Sequence, residues 1–400
     1  MNKPRYRRRV FVLLMVIVLV AAACASDGTP AAGKVVLDAA EPDPAVVDDN
    51  EPVAGDLDRA LDRIVLETGV PALGAALFDN NGMIYMAASG VRHRGDSTEA
   101  TVDDLFHLGS NTKAMTAALL ARLEESNRGI SFDTTLASAF VDIGDLNSAY
   151  ADVTMAQLLT HTGGTPGDDF DIDETILSMP VVEGRAIGAE LILSEAPAHP
   201  PGTVSSYSNA GYVIVGAAME ATTGESWEEL MVTEVFVPLG MDSCAFGPPG
   251  TEGDIDQPYG HDNDGKPVSF DNPQLLGPAG TVHCSMGDWG KFLVELLNGL
   301  NGTSDYLSPA SFERMFEPAL APVEGLPAGQ SAAGWLVLDG PDGLDSVAYF
   351  HNGSNTAWYS QAVILPTANR VVLAVSNEER TGEQAAEMAF AALSELEGGQ

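Results

Sequence analysis

Positive charge is what this chain has least of: 19 lysines and arginines stand against 57 aspartates and glutamates, for a formal net charge of −38 over 400 residues. An excess of that size repels phosphate backbones and anionic lipid surfaces alike, so it excludes nucleic acid as a partner. Solvation of an acidic surface explains the excess better than any specific cationic ligand. Metal-ligand spacing is also missing. His93, His107, His199, His261 and His283 are scattered, and the acidic stretches "DDFDIDE" (168–174) and "HDNDGK" (261–266) lack the glycine and distal glutamate of a calcium loop. There is no G-x-S-x-G and no H-E-x-x-H, which removes support for an α/β-hydrolase elbow or a zincin. Neither a metal nor an organic cofactor is expected. No fixed-period repeat occurs, and no low-complexity break follows residue 55, so residues 56–397 read as one enzyme-sized body.

The one long apolar run lies at the front. "MNKPRYRRR" is a basic leader, and Val10 to Ala23 is apolar but shorter than the roughly 20 residues of a membrane-spanning helix. Residues 1–23 therefore read as a secretory signal. The run ends in small residues directly before Cys24, which resembles a bacterial lipoprotein processing site, where that cysteine carries the lipid and becomes the mature N-terminus. An ordinary cleaved signal and an uncleaved anchor are the other readings. Residues 24–55, rich in Pro, Ala and acidic groups without a period, read as a disordered tether. The expected location is the cell envelope, outside the cytoplasm, with the membrane met through the N-terminal lipid. Of the three cysteines, Cys244 and Cys284 then remain in a disulfide-permissive compartment. They either pair or stay as two buried thiols.

The periodicity predicts a helix over "GDLDRALDRIVLETG", then a β-hairpin about "DNNG", then the helix that follows "DDLFHLG". From about 124 to 301 the pattern is helical pieces punctuated by Gly and Pro. The C-terminal part returns to strands in "AAGWLVLDG", "SVAYFHNG", "WYSQAVILP" and "RVVLAVSN", and ends in a helix. The fold class is α/β of the α+β type. An antiparallel sheet built from both chain ends is flanked by helices, an all-helical lobe covers roughly 124–301, and a site is expected in the cleft between them.

Three short stretches bear chemistry. Ser110 and Lys113 share a helical face at the first turn, where free N–H groups favour negative charge. A serine hydroxyl is a poor nucleophile until a neighbour takes its proton, and a partly desolvated lysine can help do so. By itself the pair is also compatible with a capping serine and a solvated lysine. Tyr207 and Asn209, just before an apolar helical run, add a phenol near that cation and an amide to hold it; alone they are a turn. "HNGSN", His351 to Asn355, sits between two strands, where Gly353 lets the backbone approach a bound carbonyl and the N–H of Ser354 can join that of Ser110. Alone it is a bulge.

Together, Ser110-Asn111-Thr112-Lys113, Tyr207-Ser208-Asn209 and His351-Asn352-Gly353 resemble, in order and spacing, the serine β-lactamase/penicillin-binding-protein superfamily. The likeness is to its branch of class C β-lactamases, D-Ala-D-Ala carboxypeptidases and esterases. "LLTHTGG", "PLGMDS" and "GPAGTVHCSMGDWGKFL" resemble that branch's connecting segments. The resemblance implies a β-lactamase/transpeptidase-like fold with Ser110 as acylated nucleophile, and Lys113 and Tyr207 sharing the base work. It implies Asn209 as polar partner, His351 where class C enzymes hold a lysine, and Gly353 and Ser354 at the oxyanion site. His161 is expected to buttress the helical lobe without a chemical role. The implied substrate is a small ester, D-amino-acid peptide or lactam. With His351 and Asn352 in place of Lys and Thr, the fixed charge and hydroxyl that grip a carboxylate are lacking. The reading from a different class is a non-catalytic peptidoglycan- or penicillin-binding module that kept the site.

Overall fold

A computed structural model of the chain describes residues 55–141, 146–167, 173–326, 328–339 and 347–398. The signal sequence, Cys24 and the tether lie outside the described residues, as do residues 168–172 of the first acidic stretch. Among the described residues no helix is long and apolar enough to cross a membrane.

The hairpin forms about Asn80–Asn81, between β1 (Ala72–Asp79) and β2 (Gly82–Gly90). Two small sheets follow, β3-β7-β4 and β5-β6, from β3 (Leu105–His107), β4 (Ala245–Phe246), β5 (Gly260–His261), β6 (Pro267–Val268) and β7 (Val282–Ser285). The C-terminal strands are β8 (Gly329–Ala332), β9 (Trp335–Asp339), β10 (Val347–Ser354), β11 (Tyr359–Leu365) and β12 (Arg370–Ser376). The large sheet has the order β2-β1-β12-β11-β10-β9-β8. β1 pairs antiparallel with β12 in the register Leu73↔Ser376 to Phe78↔Val371. The two chain ends therefore close one sheet, as the sequence pattern anticipates.

Both faces of that sheet are covered, and successive residues of β1 divide between them. Leu73, Ala75 and Leu77 pack with Leu61 and Ile64 of the N-terminal helix and with Phe390 and Leu393 of the C-terminal helix. Ala72, Ala76 and Phe78 join the second core with Trp289, Phe292 and Met115. This is why β1 reads as a continuous apolar run rather than an alternation. Helix Thr112–Glu125 buries residues all round its circumference, from Lys113 and Ala114 to Leu120 and Leu123. A helix with that profile belongs inside a core, and it runs between the sheet and the helical part of the chain.

The stretch 124–301 differs from the expected all-helical lobe in two respects. It carries β4 to β7, and β7 pairs with β3 in the register Leu105↔Ser285 to His107↔His283. Helix Met286–Leu300 packs on the large sheet: Trp289, Phe292 and Leu293 share the core that holds Ala76 and Phe78. The helices that do form the second lobe include Val181–Ser194 and Asn209–Thr223. Two- to four-residue strands leave too short an alternation to be read from sequence, which is the reason for the difference.

Cys244 and Cys284 are joined in a disulfide. Cys284 lies on β7 opposite Phe106 of β3, the strand that leads into Gly109–Asn111. The cross-link thus braces the approach to Ser110. Closing a loop over a sequence separation of 40 stabilises by about 4 kcal/mol on the chain-entropy model. The Cys244→Ala/Cys284→Ala protein is expected to unfold at clearly lower urea than the oxidised wild type. An unchanged midpoint would show that the bridge carries no such weight.

Candidate active site

Strand β3 delivers the chain to a tight 3-10 turn, Gly109–Asn111, which opens directly into helix Thr112–Glu125. Gly109 has φ +49, a conformation that costs a side-chain-bearing residue. Space forbids a side chain there as well: a β-carbon on Gly109 would stand 2.5 Å from the backbone N of Ser354. The converse holds at Gly353, where a β-carbon would lie 2.1 Å from Leu108 O and 2.7 Å from Ser110 N. The two glycines bring the backbone of β10 against the turn, so the N–H groups of Ser110 and Ser354 come to one small region. Asn111 Nδ2 donates to Ser360 Oγ at 2.7 Å, and that hydroxyl donates to Leu108 O at 2.7 Å, which ties the turn to β11.

Lys113 is fully buried. Its ammonium donates to Ser110 Oγ at 3.0 Å, to Asn209 Oδ1 at 2.6 Å and to Ala279 O at 2.8 Å. It also lies 4.8 Å from the centre of the Tyr207 ring and 5.4 Å from that of Tyr212. Ser208 caps helix Asn209–Thr223 by accepting from the Gly211 N–H, which places Tyr207 just outside the helix and Asn209 at its first turn. Tyr207 is 46% exposed, a phenol at the mouth of the cleft. All the residues singled out in the three motifs therefore meet at one place.

His351 is buried on β10, its ring centre 6.4 Å from that of Tyr207. Burial first, and then the Lys113 charge, push its imidazole down from 6.5 to about 3, so it is neutral at physiological pH. Nδ1 lies 2.5 Å from Asn352 O, a contact that assigns the proton to Nδ1 and leaves Nε2 as acceptor. The Asn352 amide lies 3.5 Å from the Tyr359 hydroxyl.

Two histidines given no chemical role from sequence belong to this neighbourhood. His161, at φ +59, stacks 4.6 Å from Tyr207 and accepts the Ser208 N–H on Nδ1 at 3.1 Å. It too is kept neutral, by burial and by Lys113. His107 is fully buried two residues before Gly109 and accepts the Gly109 N–H on Nδ1 at 3.1 Å. Its Nε2 lies 2.7 Å from Asp271 Oδ1, the same oxygen that faces Asn355 Nδ2 at 3.3 Å. Asp271 thus joins the serine turn to the end of β10 from a loop whose sequence shows no pattern. The repeated placement of His107 and His161 inside "FHLGS" and "LLTHTGG", next to motif residues, was the available signal. Among the described residues no group of three or more His, Cys, Asp and Glu side chains is placed to hold a metal ion.

With this geometry in hand, the comparisons with known proteins are specific. Residues 57–397 match the family described as Beta-lactamase. The chain is 29% identical over 335 residues to penicillin-binding protein 4 of Amycolatopsis lactamdurans, covering 79% of this chain and 83% of that one. It is 28% identical over 265 residues to unguisins hydrolase ungD of Aspergillus violaceofuscus, covering 62% of this chain and 46% of the relative. The chain thus spans less than half the length of that second protein. The class C β-lactamase of Rhodobacter sphaeroides has the same fold, with a TM-score of 0.69 at 20% identity over 86% of this chain and 99% of its own.

The neutral histidines make stability depend on acid. Between 6.5 and about 3 the unfolded chain binds a proton at position 351 that the folded chain refuses. Stability present above the unfolded value is therefore lost as pH falls toward the folded one, at up to about 1.4 kcal/mol per pH unit. Urea midpoints measured from pH 7 to pH 4 are expected to fall less steeply for His351→Gln than for wild type. Parallel curves would show that His351 is not held neutral by the fold.

Proposed function

Because the chain belongs to the β-lactamase family and is a serine hydrolase of that kind, we propose that it works through an acyl-enzyme on Ser110. The observation that carries this reading is the buried Lys113 ammonium 3.0 Å from Ser110 Oγ, with Asn209 and the Tyr207 ring in the same cluster. Ser110 Oγ adds to the carbonyl carbon of an ester, amide or lactam as its proton passes to the Tyr207 oxygen, ionised beside the Lys113 ammonium. The carbonyl oxygen, now negative, rests on the N–H groups of Ser110 and Ser354. The bond to the leaving group breaks, the Tyr207 hydroxyl returns the proton to it, and an ester between Ser110 and the acyl group remains. Water, activated in the same way, then adds to that ester and releases the acid and free Ser110.

Asn209 holds Lys113 toward the serine, and His351 lines the cleft as a neutral acceptor. The Gly353 backbone makes the second oxyanion donor available by allowing β10 to touch the serine turn. The place of action is the cell envelope, supported by the basic leader, the apolar run and a relative named as a penicillin-binding protein. A lipid on Cys24 would hold the body there on its tether.

A small chromogenic ester should be hydrolysed by wild type and not by folded Ser110→Ala. Lys113→Ala and Tyr207→Phe should each lower kcat by about 100-fold or more, the range of a lost proton-transfer group. Mass spectrometry of the quenched reaction should show the acyl adduct on the peptide that contains Ser110. Turnover by Ser110→Ala at the wild-type rate would refute the assignment. A separate expectation concerns Gly353→Ala. Its methyl meets backbone on the turn rather than a flexible side chain, so the oxyanion donors must move apart. A displacement near 1 Å costs on the order of 100-fold in rate; wild-type kcat in this variant would show that the close approach is not needed.

A further inference from the structure

Three N–H donors from three directions meet on one carboxylate oxygen outside the motifs. Asp271 lies on the loop between β6 and the 3-10 turn Gln274–Leu276, with its side chain only 10% exposed. Its Oδ1 stands 2.7 Å from His107 Nε2 and accepts from the Asn355 amide at 3.3 Å and from the backbone N–H of Asn272 at 2.6 Å. The Asn272 amide in turn donates to Gly280 O at 2.7 Å, one residue past Ala279, whose carbonyl accepts from Lys113. Two consecutive residues thus reach the serine turn, the end of β10 and the segment that receives the buried ammonium.

The His107 ring transmits this hold because its two nitrogens have opposite duties. Nδ1 accepts the Gly109 N–H, so a ring proton sits on Nε2, facing Asp271. The ring is fully buried. Without Asp271 that proton would lose its charged acceptor out of reach of water, a costly state. Its relief is the other tautomer, which turns a ring N–H against the N–H of Gly109. Donor then faces donor, and the turn that carries Ser110 is pushed from its place. On the opposite side, Asn355 directly follows Ser354. Its amide nitrogen is held by Asp271 while its amide oxygen accepts the Ala357 N–H at 3.3 Å. That side chain fixes the course of the chain as it leaves Ser354.

We propose that Asp271 is a positioning residue for the reaction: through His107 and Asn355, its Oδ1 sets the relative placement of the Ser110 and Ser354 N–H groups that receive the carbonyl oxygen. The assignment rests on the serine-hydrolase reading above and adds to it a residue that touches neither nucleophile nor substrate. Oxyanion donors act on charge that develops in the transition state, and far less on the bound substrate. Loss of their alignment therefore lowers kcat and leaves KM nearly as it was. A purely structural role would instead change how much protein is folded, and not the kcat of the folded fraction.

The test measures kcat and KM on a small chromogenic ester, together with inhibition by phenylboronic acid. Its boron accepts the Ser110 oxygen and presents a hydroxyl where the oxyanion would stand. Folded Asp271→Ala is expected to lose about 100-fold in kcat, the cost of a displacement near 1 Å, with KM within about threefold of wild type. Inhibition by phenylboronic acid should weaken by the same factor as kcat. Asp271→Asn keeps an acceptor oxygen at Oδ1 and should retain kcat within about tenfold of wild type. Should Asp271→Ala not fold, Asn355→Ala removes the β10 half of the hold alone and should lower kcat by about tenfold with KM kept. Three results would each overturn the positioning role, with Ser110→Ala inactive leaving the hydrolase reading standing. They are wild-type kcat and inhibition in the folded alanine variant, a loss confined to KM, and Asp271→Asn as slow as Asp271→Ala. Turnover by Ser110→Ala at the wild-type rate would overturn both.

Discussion

A lysine ammonium held wholly out of water is the constraint around which the rest is arranged. Removing such a group from solvent costs several kcal/mol unless its donors are met. Lys113 meets that cost with acceptors from three separate places: the turn at Ser110, the start of helix Asn209–Thr223, and the Gly277–Gly280 segment. Satisfying one side chain therefore requires the helical lobe, the serine turn and a remote loop to be in position together. Arg185 supports the same loop from behind. It is fully buried, paired with Glu220 and Glu228, and donates to the carbonyls of Leu275 and Gln274. Desolvation pushes Glu220 up to about 7, against the opposing pull of Arg185.

Close backbone approach is the second condition, and glycine supplies it where the sheet meets the helix. Gly353 lets β10 touch the serine turn. Gly334, at φ +78 between β8 and β9, lets that hairpin lie against the helix just after Lys113, since a β-carbon there would stand 2.6 Å from Ala114 Cα. The Ser110 turn and the Ser354 N–H thus belong to elements in direct contact. Such a frame can hold oxyanion donors in place before a substrate arrives, which is where most of their value lies.

Charge economy gives the site its character. Among the described residues Lys113 is the cation in this cluster, and the two histidines beside Tyr207 are held neutral by burial and by that cation. Tyr207 is then an exposed polar group of the cluster, with the ring centres of His161 and His351 at 4.6 and 6.4 Å from its own.

Local pattern was enough for the elements whose signal is contained in a few residues. The turn at Asn80–Asn81, the apolar C-terminal strands, the shared face of Ser110 and Lys113, and the helix that begins behind Tyr207 all follow from spacing and chirality. Their partners were not legible in this way. Asp271 meets His107 and Asn355 from a loop without periodicity, β7 is too short to announce itself, and helix Met286–Leu300 turns to the sheet rather than to the helices before it in the chain. Those outcomes depend on contacts between residues far apart in sequence, made only once burial has excluded water. The protonation of His351 is of the same kind, because an imidazole has no fixed charge until its surroundings are assembled. Residue types and their order were therefore sufficient for the class of chemistry, whereas the polarity of the cleft arose from packing.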